Sequence, residues 1–339
     1  MQHWKEGGHD TLCKKIKKAG GAEQYNANKK YTESVSVAAE ACAEDTKGQT
    51  CYICTQALHW KTKEGLVRGC ACRGTAGFAH VSCLAEQAKL LVAEALENNL
   101  FDKANERWHR WNACSLCEQG YHGVVACALG WAAWKTYVGR PETDNARKMA
   151  MNQLGNGLSR AKRHNEALSV QEAVLSMERR RGGSEEIVLA VQANLAISYE
   201  HLGRDEEAMR MQRDVYAGYV RIRGEKALST LQCGSNYAIS LDRLKRFKEA
   251  KPLLRKLLPV ARRVLGESNE LTIKMRWTYA RALYMNTDAT LDDLHEAVTT
   301  LEDAERTSRR VLGGAHPLTK NIEHSLKVAR FTLASFDAP

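Results

Sequence analysis

The sequence predicts a mainly α protein, an α-solenoid of helix-hairpin repeats preceded by a small cysteine-rich module. Three observations predict it. Cysteine and histidine come in four short pairs between Cys51 and Cys117. Beyond residue 146 the same small and apolar residues return every 42 positions. Elsewhere apolar residues fall at helical spacing, and proline is scarce, five in 339 residues.

Residues 1–50 are polar and Lys-rich. Trp4-Lys5 followed by His9-x3-Cys13 resembles the last ligand pair of a MYND zinc finger. No earlier cysteine pairs precede it, and two ligands cannot close a tetrahedral site, so the segment reads as a MYND remnant or a chance match. Lys14, Lys15, Lys17 and Lys18 read as a solvated helix face, with a nuclear import signal as the alternative. Thr32 to Cys42 is Ala- and Glu-rich and predicts a helix, with Gly48 ending the segment.

The pairs are Cys51-x2-Cys54, Cys70-x-Cys72, His80-x2-Cys83 and Cys114-x2-Cys117. Zinc takes thiolate and imidazole ligands in a tetrahedron, short pairs coming from tight turns and distant pairs closing the site. Four pairs suffice for two zinc ions. They absorb seven of the eleven cysteines and leave Cys13, Cys42, Cys127 and Cys233 isolated. The polar start has no apolar signal segment, so thiolates in a reducing compartment fit better than a secreted disulfide framework. The expected location is the cytoplasm, with the nucleus as alternative.

The ligand order C4HC3 occurs in two finger types. A one-residue gap at Ala71, seven residues from Arg73 to Ala79, then Gly74-Thr75, Phe78, His80 and Cys83-Leu84 resemble the RING-CH finger rather than PHD. The resemblance spans about 51–117. It implies a cross-braced fold with Cys51, Cys54, His80 and Cys83 on one zinc and Cys70, Cys72, Cys114 and Cys117 on the other. The first set then carries −1 and the second −2, which Arg68 and Arg73 are placed to offset. Four protein ligands per ion leave no position for substrate or water, so the zincs are structural.

The resemblance also implies docking of a ubiquitin-conjugating enzyme, with Ile53 matching the apolar residue of the first zinc loop and Leu84 the one after the sixth ligand. Two positions depart from it: Gln87 stands where the family has Trp, and Glu118 where many active fingers have a cation. In the long gap to Cys114, Leu84, Ala88, Leu91, Val92, Ala95 and Leu96 share one helical face that ends near Asn98-Asn99. Trp108 and Trp111 are read as packing over the finger.

Gln119 to Trp134 is uncharged but shorter than the roughly 20 residues a membrane helix needs, so it is read as a buried helix. The finger is thus placed at 51–120, a connecting helix and linker at 121–145, repeats at 146–333 and a tail at 334–339.

Asn194-Leu195-Ala196 and Asn236-Tyr237-Ala238 lie 42 apart, as do Glu207-Ala208 and Glu249-Ala250. Gln153-Leu154-Gly155 and Thr278-Tyr279-Ala280 are the outer copies, and small residues at Gly155, Ala196, Ala238 and Ala280 mark where helices cross. A hairpin that cannot bury its own faces stacks on neighbours. With Val264-Leu265-Gly266-Glu267 and Val311 to Pro317 at repeat ends, the pattern resembles tetratricopeptide repeats of the kinesin-light-chain type. That resemblance implies a peptide groove in which Asn194 and Asn236 contact a peptide backbone. His201 and Arg243 on the same surface suit an acidic target.

The net charge of +10 is spread along the chain without interleaved aromatics, so a protein partner is expected and nucleic acid is not. There is no phosphate loop, nucleophile elbow or catalytic carboxylate pair. The expected function is a ubiquitin ligase or ligase-like adaptor, with a non-catalytic zinc-stabilised scaffold as the alternative.

Overall fold

The computed structural model describes residues 9–314 and 316–336. Trp4 and Lys5 lie outside the described residues, as do the His9 side chain and Ala315. The chain divides into two compact units between Ser176 and Met177. No helix among the described residues is long and apolar enough to cross a membrane.

The first unit begins with α1 (His9–Ala19) and α2 (Ala22–Ala41). Along α2, Ala27, Tyr31, Ser34, Val35 and Ala38 form one buried stripe at helical spacing. The finger follows with little regular structure until α3 (Val81–Glu97). This helix buries Leu84, Ala88, Val92 and Ala95 and stops where Asn99 turns left-handed at φ 57°. After α4 (Phe101–Arg107) a tight turn, Trp108–Trp111, leads through the last ligand pair to α5 (Gly123–Tyr137).

Helix α5 is apolar all round, and ten of its fifteen residues are buried, the signature of a central helix. It crosses α6 (Asn145–Arg160) so closely that a Cβ on Gly157 would lie 2.5 Å from the Ala126 carbonyl oxygen. Trp108 and Trp111 pack on Tyr137 of α5, with ring centroids 5.3 and 5.9 Å from it. One apolar core therefore takes in α2, the finger, α5 and α6. Helix α7 (His164–Arg180) follows and runs past the unit boundary.

The second unit holds α8 (Glu185–His201), α9 (Asp205–Arg223), α10 (Leu228–Arg243), α11 (Phe247–Leu265), α12 (Glu270–Tyr284), α13 (Leu291–Val311) and α14 (Pro317–Phe336). Each hairpin repeats the last. Ala196, Ala238 and Ala280 are fully buried, small enough to let helices approach. Acids Asp205, Glu206 and Glu207 open α9, where the helix dipole favours them. Thr290 and Asp293 cap α13 reciprocally. Successive repeats are tied by Arg243–Asp205, Arg281–Asp242 and Lys251–Asp293 pairs at 2.8, 3.0 and 2.7 Å.

Candidate metal centres and partner surfaces

Two of the finger's turns are built alike. In Cys51 to Gln56, the Cys51 N–H donates to the Gln56 carbonyl (3.0 Å) and the Thr55 N–H to the Cys51 carbonyl (2.8 Å). In Cys114 to Gln119 the same bonds run from Cys114 to Gln119 and from Glu118 to Cys114, both 3.0 Å. The fifth residue of each takes a left-handed turn, Thr55 at φ 61° and Glu118 at φ 55°. The Ile53 and Leu116 N–H groups each donate to the first sulfur at 3.4 Å. Both thiols of each turn are thereby aimed to one side.

A paired bridge, Val67 with Ala79, closes the loop that carries Cys70 and Cys72. Within it Gly77 has φ 84°, and a Cβ there would lie 2.6 Å from the Cys72 Cβ. Only glycine lets this loop wrap its sulfurs. His80 precedes α3 and Cys83 sits in its first turn, so the helix start fixes that pair.

These elements gather the eight predicted residues into two groups of four. Cys51, Cys54, His80 and Cys83 form one, and Cys70, Cys72, Cys114 and Cys117 the other. Within each, the ligand atoms lie within 4.8 Å of one another. The first and third pairs meet, and the second and fourth, so the cross-bracing implied by the resemblance is the arrangement found. His80 Nδ1 faces Cys54 Sγ at 3.3 Å and Cys83 Sγ at 3.7 Å, while Nε2 lies 3.3 Å from the Ala57 carbonyl. That carbonyl holds the Nε2–H tautomer and leaves the Nδ1 lone pair for a metal.

Burial disfavours the bare thiolate at three of the sulfurs. Burial, reinforced by neighbouring sulfurs, pushes the Cys70 thiol up to about 11 and raises Cys72 and Cys83 as well. For Cys51, N–H donors from Cys54, His80 and Ile53 outweigh burial and lower it. Burial holds His80 below the usual imidazole value, neutral as a ligand must be. The donor set, its separations and its charge fit two zinc ions per chain.

Two expectations change on inspection. Leu84 is 4 % exposed and belongs to the core, so it presents nothing to a partner. Leu116, at the tip of the second turn, is instead 52 % exposed, matching Ile53 at 37 % on the first. Sequence reading missed Leu116 because only the doubled turn shows it to be Ile53's counterpart. Arg68 does not offset the thiolates: its guanidinium pairs with Asp45 at 2.8 Å and lies over Phe78. Arg243 is likewise engaged, by Asp205 and by the Glu200 carbonyl, on a side chain that stays exposed.

Gln87 is half-buried, and the Glu118 carboxylate is held by Arg110 at 2.8 and 3.0 Å. Asn194 and Asn236 are both half-buried on α8 and α10, and His201 is exposed. In the outer copies the equivalent side chains turn inward. Gln153 donates to the Trp111 carbonyl at 3.0 Å, and the Thr278 hydroxyl to Lys274 of its own helix.

A third turn repeats both backbone bonds without a cysteine. His59 N–H donates to the Glu64 carbonyl (3.1 Å), Lys63 N–H to the His59 carbonyl (2.9 Å), and Lys63 has φ 58°. His59 Nδ1 takes the place of the first sulfur, accepting from the Thr62 N–H at 3.1 Å. His59 had no visible role in the sequence, since no spacing rule marks it.

Three stretches of the chain match known families. Residues 51–118 match the RING-variant domain, and 147–219 and 230–269 match tetratricopeptide repeat families. The chain thus carries a RING-variant domain followed by tetratricopeptide repeats. No curated protein matches it. Among solved structures, the kinesin light chain nearly identical TPR-like repeats of Podosopora anserina are 20 % identical, covering 68 % of this chain and 97 % of that one at a TM-score of 0.44. BtubC (BKLC) from P. vanneervenii is 13 % identical over 76 % of this chain and 93 % of its own, TM-score 0.40.

Proposed function

We propose that this chain is a ubiquitin ligase or ligase-like adaptor, in which the finger holds a ubiquitin-conjugating enzyme and the repeats recruit the protein to be modified. The observation that carries the reading is the pair of matched zinc turns in a RING-variant domain, each presenting an exposed apolar residue, Ile53 and Leu116. With four protein ligands at each ion, the metal is left no bond chemistry, and the finger's contribution is to position two reactants.

On the repeats, Asn194 and Asn236 are the amides assigned to a peptide backbone, and the net charge of +10 favours an acidic target. Thiols serving as metal ligands suit a reducing compartment, so the cytoplasm is assigned, with the nucleus as alternative. A second reading, a non-catalytic scaffold, is favoured by Gln87 and by Glu118, whose carboxylate is already neutralised by Arg110.

Ubiquitination in vitro with a panel of conjugating enzymes separates the two. The ligase reading expects chain formation that Ile53→Ala and Leu116→Ala each reduce. No chains with any enzyme, while both zincs remain bound, would establish the scaffold instead.

A further inference from the structure

The cysteine-free turn carries its own exposed residue. Trp60, second in the turn, is 68 % exposed, the most exposed large apolar side chain of the finger. The backbone bonds across His59 and Glu64 shape the turn that presents it. His59 itself is buried and meets the His80 ring edge-on at 5.3 Å, which ties the turn to the first metal centre.

Beside Trp60 lies a groove of about 790 Å³ within the first unit, between this turn, α2, the start of α3 and the end of α5. Its walls pair aromatic surface with cations: Tyr31 and Trp60, then Lys61, Lys89 and Lys135. Lys135 lies over the Tyr31 ring at 4.1 Å. Two acids lie nearby, and the three lysines still outnumber them. Glu86 pairs with Lys89 at 3.2 Å, and Glu64 accepts from the Ser82 N–H and hydroxyl at 2.7 and 2.9 Å. With Lys89 paired to Glu86 and Glu64 still charged beside Lys135, the groove keeps a net positive balance on Lys61 and Lys135 under an aromatic rim. Gln87 lies more than a quarter of a turn round α3 from each of the groove residues Ser82, Ala85, Glu86 and Lys89, at roughly 100° per residue.

We infer that this groove binds an extended acidic segment of a partner protein, its carboxylates meeting Lys61 and Lys135 and an apolar residue lying against Trp60. Charge complementarity selects the occupant: a hollow in which lysines outnumber carboxylates disfavours a basic segment, and the aromatic rim rewards an apolar side chain that a bare polyanion lacks. The site is separate from the repeat groove and does not depend on ubiquitin transfer.

The test uses the zinc-loaded full chain and a fluorescein-labelled peptide of alternating Glu and Leu, about twelve residues long, enough to span the groove at roughly 3.3 Å per residue. Polarisation should rise on binding and the affinity should fall as ionic strength passes about 0.1 M, where charges are screened beyond roughly 10 Å. Trp60→Ala and Lys61→Glu are exposed changes that leave zinc content and melting temperature intact. Each should weaken binding about tenfold, one factor of ten per lost anchor of the kind that dominates interfaces, whereas Leu116→Ala and Asn236→Ala should not. Absence of binding, or binding lost with Asn236→Ala but kept with Trp60→Ala, overturns the inference. So does equal competition by single-stranded DNA of the same length, which would reduce the site to charge alone. Because no conjugating enzyme is present, failure here leaves the ligase reading untouched.

Discussion

Between Cys51 and Cys83 the chain holds its shape by drawing four side chains within 4.8 Å of one another. Between α8 and α14 it does so by making the same small contacts over and over, an alanine at each crossing and a charged pair from each repeat to the next. The finger concentrates cohesion in a few atoms because its loops bury too little apolar surface to offset their ordering. The repeats need no such centre, since every hairpin covers its neighbour. Concentrated cohesion should fail all at once, and distributed cohesion by increments.

The largest effect comes from removing the metal. Structural zinc contributes on the order of 10–16 kcal/mol of apparent binding free energy, as much as a whole domain's net stability. Chelation, or Cys83→Ala, should therefore abolish hydrogen-exchange protection from 51 to 121. Since the finger shares its core with α2 and α5, those helices should lose protection on their inner faces too. Residues 185–336 should keep theirs. Metal analysis should give two zincs per chain, and a value of one or none would contradict the paired centres.

Next is the repeat core. Leu231 and Leu283 are fully buried, and truncating either to Ala should cost about 2–5 kcal/mol. Denaturant unfolding should show that loss while zinc content stays unchanged. The converse result, zinc release on Leu283→Ala, would mean the two modes of cohesion are not separable.

Asp293 offers a smaller and pH-dependent probe. Burial works to raise its pKa, but Lys251 and the Thr290 cap outweigh it and hold the carboxyl below its ordinary value. A depressed folded value means the stabilisation is complete above the unfolded pKa of about 3.9 and disappears as pH falls through the folded one. Asp293→Asn should cost about 1 kcal/mol at neutral pH, as losing a cap does. The gap to the parent protein should close below about pH 4. Arg243→Ala should be the mildest change, within about 1 kcal/mol, because its pair with Asp205 is open to solvent.

What could be read from the sequence follows from where the information sits. Ligand spacing is local, so both zinc groups and the start of α3 were legible from residues a few positions apart. The 42-residue return of Asn-x-Ala fixed the hairpins. Leu84 was misread, and the pairing of Arg243 went unseen, because chemical type reveals neither direction nor partner. A leucine after a ligand packs inward once α3 turns it there, and an arginine on a helix gains its partner only when the preceding repeat supplies Asp205. The His59 turn was invisible because a histidine accepting an N–H leaves no cysteine-like mark. The burial of α5 was expected, but not that it would join α2, the finger and α6 in one core.

The Gln153 side chain bears on how such a protein can be recombined. Its amide reaches from α6 into the finger to hold the Trp111 carbonyl, and Gly69 fits so tightly against Val125 that an added Cβ would lie 2.4 Å from it. Cutting at the borders of the zinc motif would sever both and strip cover from the apolar face of α5. A chimera that transplants 51–118 alone should therefore inherit the ligands but not a folded finger. The transferable cassette of this chain reaches from α2 through α6 and includes helices that touch no metal.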